Sequence, residues 1–245
     1  MKIAVMGGTG LIGSQVVTIL NAAGHEAVPY SLSNGVNLLT GEGLDAALKG
    51  ADVVVNLTNS PTFDDASIAF FQTSMDNLLA AAKREGVGHA VILSIVGVDQ
   101  VPDLAYYRAK VLQEKILEAG PVPYSIVRAT QFYEFMNSVM SWSSDENTVR
   151  LPNTPVQPLA SADISKAVAD VAMGKPLMGI RNVGGPEVLT LDELGRIALA
   201  AKGDKRTVVV DNTAGMFAAV KGDVLTAPPD AVLATTTFRE WLASK

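Results

Sequence analysis

The feature that most narrows what this chain can become lies within its first thirteen residues. An apolar run, Ile3-Ala4-Val5-Met6, is followed at once by Gly7-Gly8-Thr9-Gly10-Leu11-Ile12-Gly13, and then by a helix-forming stretch over 11–23. Gly7, Gly10 and Gly13 recur at every third position, and each spacing has a physical use. Gly7 permits a sharp strand-to-helix turn, Gly10 lets the backbone approach a diphosphate without a Cβ in the way, and Gly13 allows close packing of helix on strand. The helix start adds unpaired N–H groups and a partial positive charge. Because the pattern sits between a predicted strand and a predicted helix, Gly7, Thr9, Gly10, Leu11, Ile12 and Gly13 are read as a dinucleotide-binding loop.

The rest of the chain agrees with that start. Strand-length apolar runs at 3–6, 27–30, 53–57, 90–94 and 124–128 alternate with helical patterns at 11–23, 44–48, 66–85 and 106–119. Several of these helices close on glycine, at Gly24, Gly50, Gly86 and Gly120. A further short strand is expected at 36–38, although the connection to it is too short for a crossover helix. This alternation predicts an α/β fold, a Rossmann-type doubly wound parallel sheet. Beyond residue 130 the pieces shorten and are punctuated by Pro and Gly, with helices expected at 161–173, 191–201 and 238–244. No linker or repeat interrupts them. The expectation is one domain over 1–245, with a dinucleotide-binding core at 1–130 and a mixed region at 131–245 that carries a small C-terminal substrate lobe. Ligands of such sheets bind at the carboxyl ends of the strands.

Composition excludes several functions. Hydrophobic residues make up 48% of the chain and charged residues 18%, which suits a sheet buried on both faces. A net charge of −6 offers no footprint for a phosphate backbone, so no direct nucleic-acid partner is expected. With no cysteine and two isolated histidines, His25 and His89, disulfides, thiolate chemistry and a histidine-rich metal site are excluded. Both histidines read as surface turn residues. No apolar stretch reaches the roughly 20 residues of a membrane span, so a cytoplasmic protein is expected. The oligomeric state is open.

Three groups of residues point to chemistry. At the end of the second strand, an Asp or Glu would bond the ribose diol of NAD, and a basic residue would pair with the 2′-phosphate of NADP. The chain has neither in Tyr30-Ser31-Leu32-Ser33-Asn34. Ser31 and Ser33 offer hydroxyls to a phosphate with no carboxylate to repel it, which favours NADP over NAD. Tyr106 and Lys110 form Tyr-x-x-x-Lys on one helical face. A lysine cation one turn away favours the phenolate of a tyrosine that otherwise titrates near pH 10. Ser94, at the end of the preceding strand, can hydrogen-bond a substrate carbonyl. The bland alternative is an amphipathic helix that packs Tyr106 and exposes Lys110 in a pair with Glu114. After the fifth strand, Gln131 and Phe132 open a polar and aromatic stretch suited to lining a substrate pocket.

On the glycine loop, Ser94 with Tyr106 and Lys110, Thr130-Gln131-Phe132-Tyr133-Glu134-Phe135 and Gly184-Gly185-Pro186-Glu187, the chain resembles the atypical, NmrA-like branch of the short-chain dehydrogenases/reductases. The likeness spans nearly the whole length. It implies a Rossmann-fold NAD(P)-binding protein in which Lys110 also bonds the nicotinamide ribose, Tyr106 exchanges a proton and Ser94 orients substrate. It also implies Asn56 and Thr58 as cofactor contacts. The doubled Tyr106-Tyr107 leaves either ring open to the cleft, Tyr107 then contacting substrate, while the spacing favours Tyr106 as the acid-base. The resemblance implies an oxidoreductase passing hydride to a small carbonyl, quinone-like or other unsaturated substrate. Members that bind dinucleotide without turnover supply the alternative, a non-enzymatic NADP(H) redox sensor acting through a protein partner.

Overall fold

The computed structural model describes residues 1–245. Its strands are β1 (Lys2–Met6), β2 (Glu26–Tyr30), β3 (Val53–Asn56), β4 (His89–Ile95), β5 (Tyr124–Ala129), β6 (Thr148–Leu151), β7 (Pro155–Val156), β8 (Ile180–Gly184), β9 (Leu189–Thr190), β10 (Thr207–Val210) and β11 (Val232–Leu233). The helices are α1 (Leu11–Ala22), α2 (Leu44–Leu48), α3 (Ala66–Glu85), α4 (Ala105–Glu118), α5 (Met136–Ser141), α6 (Ser161–Met173), α7 (Leu191–Lys202) and α8 (Phe238–Ala243).

Seven strands form one sheet in the order β11-β8-β5-β4-β3-β1-β2. β1 pairs in parallel with β2 on one side and β3 on the other, with Ile3 opposite both Ala27 and Val53. The chain therefore reverses direction across the sheet between β1 and β3, the place where open α/β sheets gather their ligands. All four residues of β3 are buried, which is why that strand reads as an unbroken apolar run rather than an alternating one. This is a Rossmann-like α/β fold.

The expected strand at 36–38 does not form. Val36 and Leu38 are buried in the core beside α2 and α3, but the backbone there closes a turn, with the Asn37 N–H donating to Glu42 O and the Gly41 N–H to Asn37 O. The linker is too short for a crossover to a parallel neighbour, so only the apolar side chains are used.

The chain divides into two compact units. The first comprises 1–128 and 164–181, the second 129–163 and 182–245. The 164–181 stretch of the first unit carries most of α6, whose Ile164, Val168, Ala169, Val171 and Ala172 are all buried. The second unit contains a parallel β6·β10 pair, an antiparallel β7·β9 pair and an aromatic cluster of Tyr133, Phe238 and Trp241.

His89 is not a surface turn residue. It opens β4 between β3 and β5, is 3% exposed, and its Nε2 lies 2.8 Å from the Ser125 hydroxyl of β5. A residue just ahead of an apolar run belongs to the strand when the strand is central, because pairing on both sides draws in the flanking position. Burial lowers the pKa of this imidazole below its ordinary value. The unfolded chain then takes up the proton first, so stability is complete above the unfolded pKa and is lost as pH falls through it. Denaturant midpoints should fall between about pH 7.5 and 5.5, around the free histidine pKa of about 6.5. In His89→Gln that slope should largely vanish, and an unchanged slope would remove His89 as its source.

Candidate active site

The site is built at the carboxyl ends of β1, β3 and β4. The turn after β1 is fastened to the sheet by its own amides: the Gly7 and Gly8 N–H groups donate to Tyr30 O at 2.8 and 3.2 Å, and Gly8 N–H also to Val5 O at 3.1 Å. Gly7 has φ of +73°, and a Cβ there would lie 2.9 Å from the Leu57 carbonyl. Gly13 packs so tightly that a Cβ would sit 2.2 Å from Gly7 O. Gly10 differs, since its Cβ would meet only Gly7 O, at 3.3 Å.

Gly10 N–H donates back to Gly7 O, so the amides left without an intrahelical acceptor are those of Leu11, Ile12 and Gly13 in the first turn of α1. That helix has no side-chain cap and no acidic residue in its first turn. The residues fit the diphosphate of a dinucleotide: a helix start with open donors, no competing carboxylate, and a cradle at Gly10 that a Cβ would narrow. The division of labour is finer than the glycine spacing alone conveys, because the first two glycine amides serve the fold and not a ligand.

Asn56 ends β3 buried, with its Oδ1 accepting from the Thr58 N–H at 3.1 Å and the Thr58 hydroxyl at 2.7 Å. Both residues thus shape the turn that meets Gly7. Ser31 and Ser33 follow β2 with hydroxyls 2.8 Å apart, and Asn34 ties their loop down by accepting from Ser31 N–H and donating to Pro29 O. Ser94 lies near the end of β4, 3% exposed, and its buried Oγ has no hydrogen-bond partner. An orphaned hydroxyl at a strand end calls for a partner that the protein itself does not supply.

α4 supplies the remaining groups. Its buried face carries Tyr106, Lys110, Gln113 and Leu117 at helical spacing, with Tyr107 and Glu114 also buried. Tyr106 donates its hydroxyl proton to Asn59 Oδ1 at 2.5 Å, and its ring meets Phe63 edge-on with centroids 4.9 Å apart. Burial pushes the Tyr106 hydroxyl up to about 12, with the Asn59 bond opposing the rise. Burial, then the neighbouring Tyr106, raises Tyr107. Lys110 is 4% exposed; its ammonium donates to Leu93 O at 2.7 Å and to Gln113 Oε1. Burial pulls it down to about 7, against the favourable charge of Glu114.

Glu114 forms no exposed pair with Lys110. Its carboxylate accepts from Arg128 Nε at 2.9 Å and Nη2 at 2.6 Å, a two-pronged ion pair with β5. A tertiary partner with a planar fork displaces the i,i+4 contact that helix geometry alone suggests.

The first unit therefore holds the glycine loop, Asn56, Thr58, Ser94, Tyr106, Tyr107 and Lys110 together. Gln131 and Phe132 belong to the second unit. There Phe132 bridges to Leu159 as an isolated parallel pair, and both amide atoms of Gln131 are buried without partners. Sequence reasoning missed Asn59 and Gln113. Gln113 was within reach, being one turn beyond Lys110. Asn59 was not, because its contact depends on how the loop after β3 closes over α4.

A family model described as NAD(P)H-binding matches residues 7–172. The chain belongs to this NAD(P)H-binding family, of the atypical short-chain dehydrogenase/reductase, NmrA-like type. It is 28% identical over 211 residues to (4-alkanoyl-5-oxo-2,5-dihydrofuran-3-yl)methyl phosphate reductase of Streptomyces griseus, covering 78% of this chain and 70% of that one. It is 25% identical over 226 residues to photosystem II assembly factor Ycf39 of Synechocystis sp., covering 79% and 67%. Among solved structures, MoeE5 with UDP-glucuronic acid and NAD shares the fold at a TM-score of 0.76 and 18% identity, over 100% of this chain and 97% of that one. A dTDP-4-dehydrorhamnose reductase of Bacillus anthracis with NADP does so at 0.72 and 14%, over 96% and 90%. No helix is long and apolar enough to cross a membrane.

Two glycine substitutions separate fold from binding. Gly13→Ala should destabilise the protein by about 1–3 kcal/mol through overpacking. Gly10→Ala should leave the denaturation midpoint nearly unchanged while NADPH affinity, measured by calorimetry, falls sharply. Equal NADPH binding by Gly10→Ala and the parent would show that the diphosphate lies elsewhere.

Proposed function

We propose that this protein is an NAD(P)H-dependent oxidoreductase that reduces a small carbonyl, quinone-like or other unsaturated substrate. The observation that carries the reading is that the buried face of α4 carries Tyr106 and Lys110, with the Lys110 ammonium on the Leu93 carbonyl, next in β4 to the residue whose hydroxyl, Ser94, is unpartnered. The name of the Streptomyces relative, a reductase, supports it.

The dinucleotide would be held by the first turn of α1 and by Lys110, and it supplies the hydride when bound. The protein's part is the proton. With its hydroxyl pushed up to about 12, Tyr106 is a protonated phenol at neutral pH, the state required to give a proton to a carbonyl oxygen as that oxygen gains negative charge. Ser94 Oγ donates to the same oxygen and orients it. Lys110 holds the cofactor ribose in this reading rather than activating the phenol, whose pKa burial raises where a neighbouring cation was expected to lower it. In this reading Tyr107 is packed beside the acid-base. The preferred dinucleotide is NADP, because Ser31 and Ser33 present hydroxyls and no carboxylate at the end of β2.

A second reading has its own support. The Tyr106 proton is engaged by Asn59 and the Lys110 ammonium by Leu93 O and Gln113, and one relative is named an assembly factor. In this reading the protein is a dinucleotide sensor that acts through a protein partner. A sensor must bind the oxidised and reduced coenzymes with different affinities, since equal binding shifts no equilibrium.

With NADPH and a panel of ketones, quinones and enones, turnover should drop at least about tenfold in Tyr106→Phe, the contribution typical of a positioned acid. Calorimetry should show tighter binding of NADPH than of NADH. Turnover that is the same in both proteins would take Tyr106 out of the chemistry. No turnover at all, combined with unequal affinity for NADP and NADPH, would favour the sensor.

A further inference from the structure

The reaction proposed above has no use for Gln113, yet that side chain is among the most deeply placed polar groups in the molecule. It is 0% exposed, its Oε1 accepts from Lys110 Nζ, and its Nε2 faces the Met75 sulfur at 3.8 Å. Thioether sulfur is a weak acceptor, and this one also receives Asn56 Nδ2 at 3.4 Å. Its amide thus has one strong partner, the Lys110 ammonium, and one weak one, the Met75 sulfur.

The surroundings of the Lys110 ammonium bear on what Gln113 does there. On α4, Glu114 is the nearby carboxylate, but Arg128 of β5 engages both its oxygens and also reaches Asp99 at 3.3 Å. Tyr106, one turn earlier on α4, is a neutral phenol whose proton points to Asn59. From α3 come Phe71, its ring centre 4.8 Å from Nζ, and Met75, neither of them charged. From β4 come the Leu93 carbonyl and the uncharged Ser94. The buried cation therefore donates to two neutral oxygens, with the Arg128-paired Glu114 the one favourable charge nearby. One is main chain and fixed in the sheet; the other is Gln113.

We propose that Gln113 is a positioning residue that keeps the Lys110 ammonium protonated and aimed in the site. Resting on the reductase reading, it thereby sets the pH above which dinucleotide binding and turnover decline. A buried ammonium that loses an acceptor gives up its proton more readily, and one that gains a carboxylate holds it more firmly.

The test uses the full-length protein labelled with carbon-13 at lysine Cε, with Lys110→Met identifying the Lys110 resonance. In the parent, Lys110 should titrate near neutrality, well below the free lysine pKa of about 10.4. Gln113→Leu should lower the midpoint by about one pH unit or more, and Gln113→Glu should raise it by as much. The pH at which NADPH affinity is half lost, followed by calorimetry, should move in the same two directions. A purely structural glutamine would change stability without moving either midpoint, and that result would overturn the proposal. If Gln113→Leu does not fold, Gln113→Met and the isosteric Gln113→Glu carry the same test. A parent protein whose Lys110 titration responds to Gln113 but which binds no dinucleotide would sink the reductase reading alone.

Discussion

The close packing of α1 on β1 fixes everything that follows. Gly13 approaches the Gly7 carbonyl more closely than any side chain allows, while Gly7 and Gly8 spend their amides on Tyr30 O and Val5 O. Gly7 also lies against the Leu57 carbonyl just beyond β3. One turn is thereby tied to three neighbouring strands, and the first-turn N–H groups of α1 are left facing outward at the point where the sheet reverses direction. A diphosphate bound there would meet preorganised donors, held by the same contacts that hold the fold, so little ordering would remain to be done.

α4 depends on that frame in a different way. The core-facing stripe of an ordinary amphipathic helix is apolar, whereas this one presents Tyr106, Lys110 and Gln113 before it reaches Leu117, with Glu114 alongside. Burying such groups is unfavourable unless each finds a partner. Each does: Asn59 for the phenol, Leu93 O and Gln113 for the ammonium, Arg128 for the carboxylate. These partners come from the turn after β3, from β4, from α4 itself and from β5, so the stripe is held from several elements at once. A set of buried polar groups held this way is fixed in place, as the proposed proton transfer would require.

Relatives at similar distance from this chain carry different roles by name. One relative is named a reductase and another an assembly factor, at similar levels of identity. A shared Rossmann-like frame is compatible with both, because the frame supplies dinucleotide binding and leaves the outcome to a few side chains. In the proposed reading those side chains are Tyr106, Lys110 and Ser94, together with the neighbours that hold the first two.

The sequence by itself determined the alternation of strands and helices, the glycine turn and the Tyr106–Lys110 spacing. All of these are local: periodicity, turn chemistry and helix geometry act over a few residues and can be read in order. Only the tertiary structure decided which polar groups meet. It brought Asn59 to a tyrosine 47 positions away, gave Glu114 to Arg128 rather than Lys110, drew His89 into the middle of the sheet and left 36–38 as a buried turn. The physical reason is that burial and partner choice depend on elements distant in the chain. A lysine one turn from a glutamate reads as a surface pair until the sheet behind the helix supplies an arginine and removes the water.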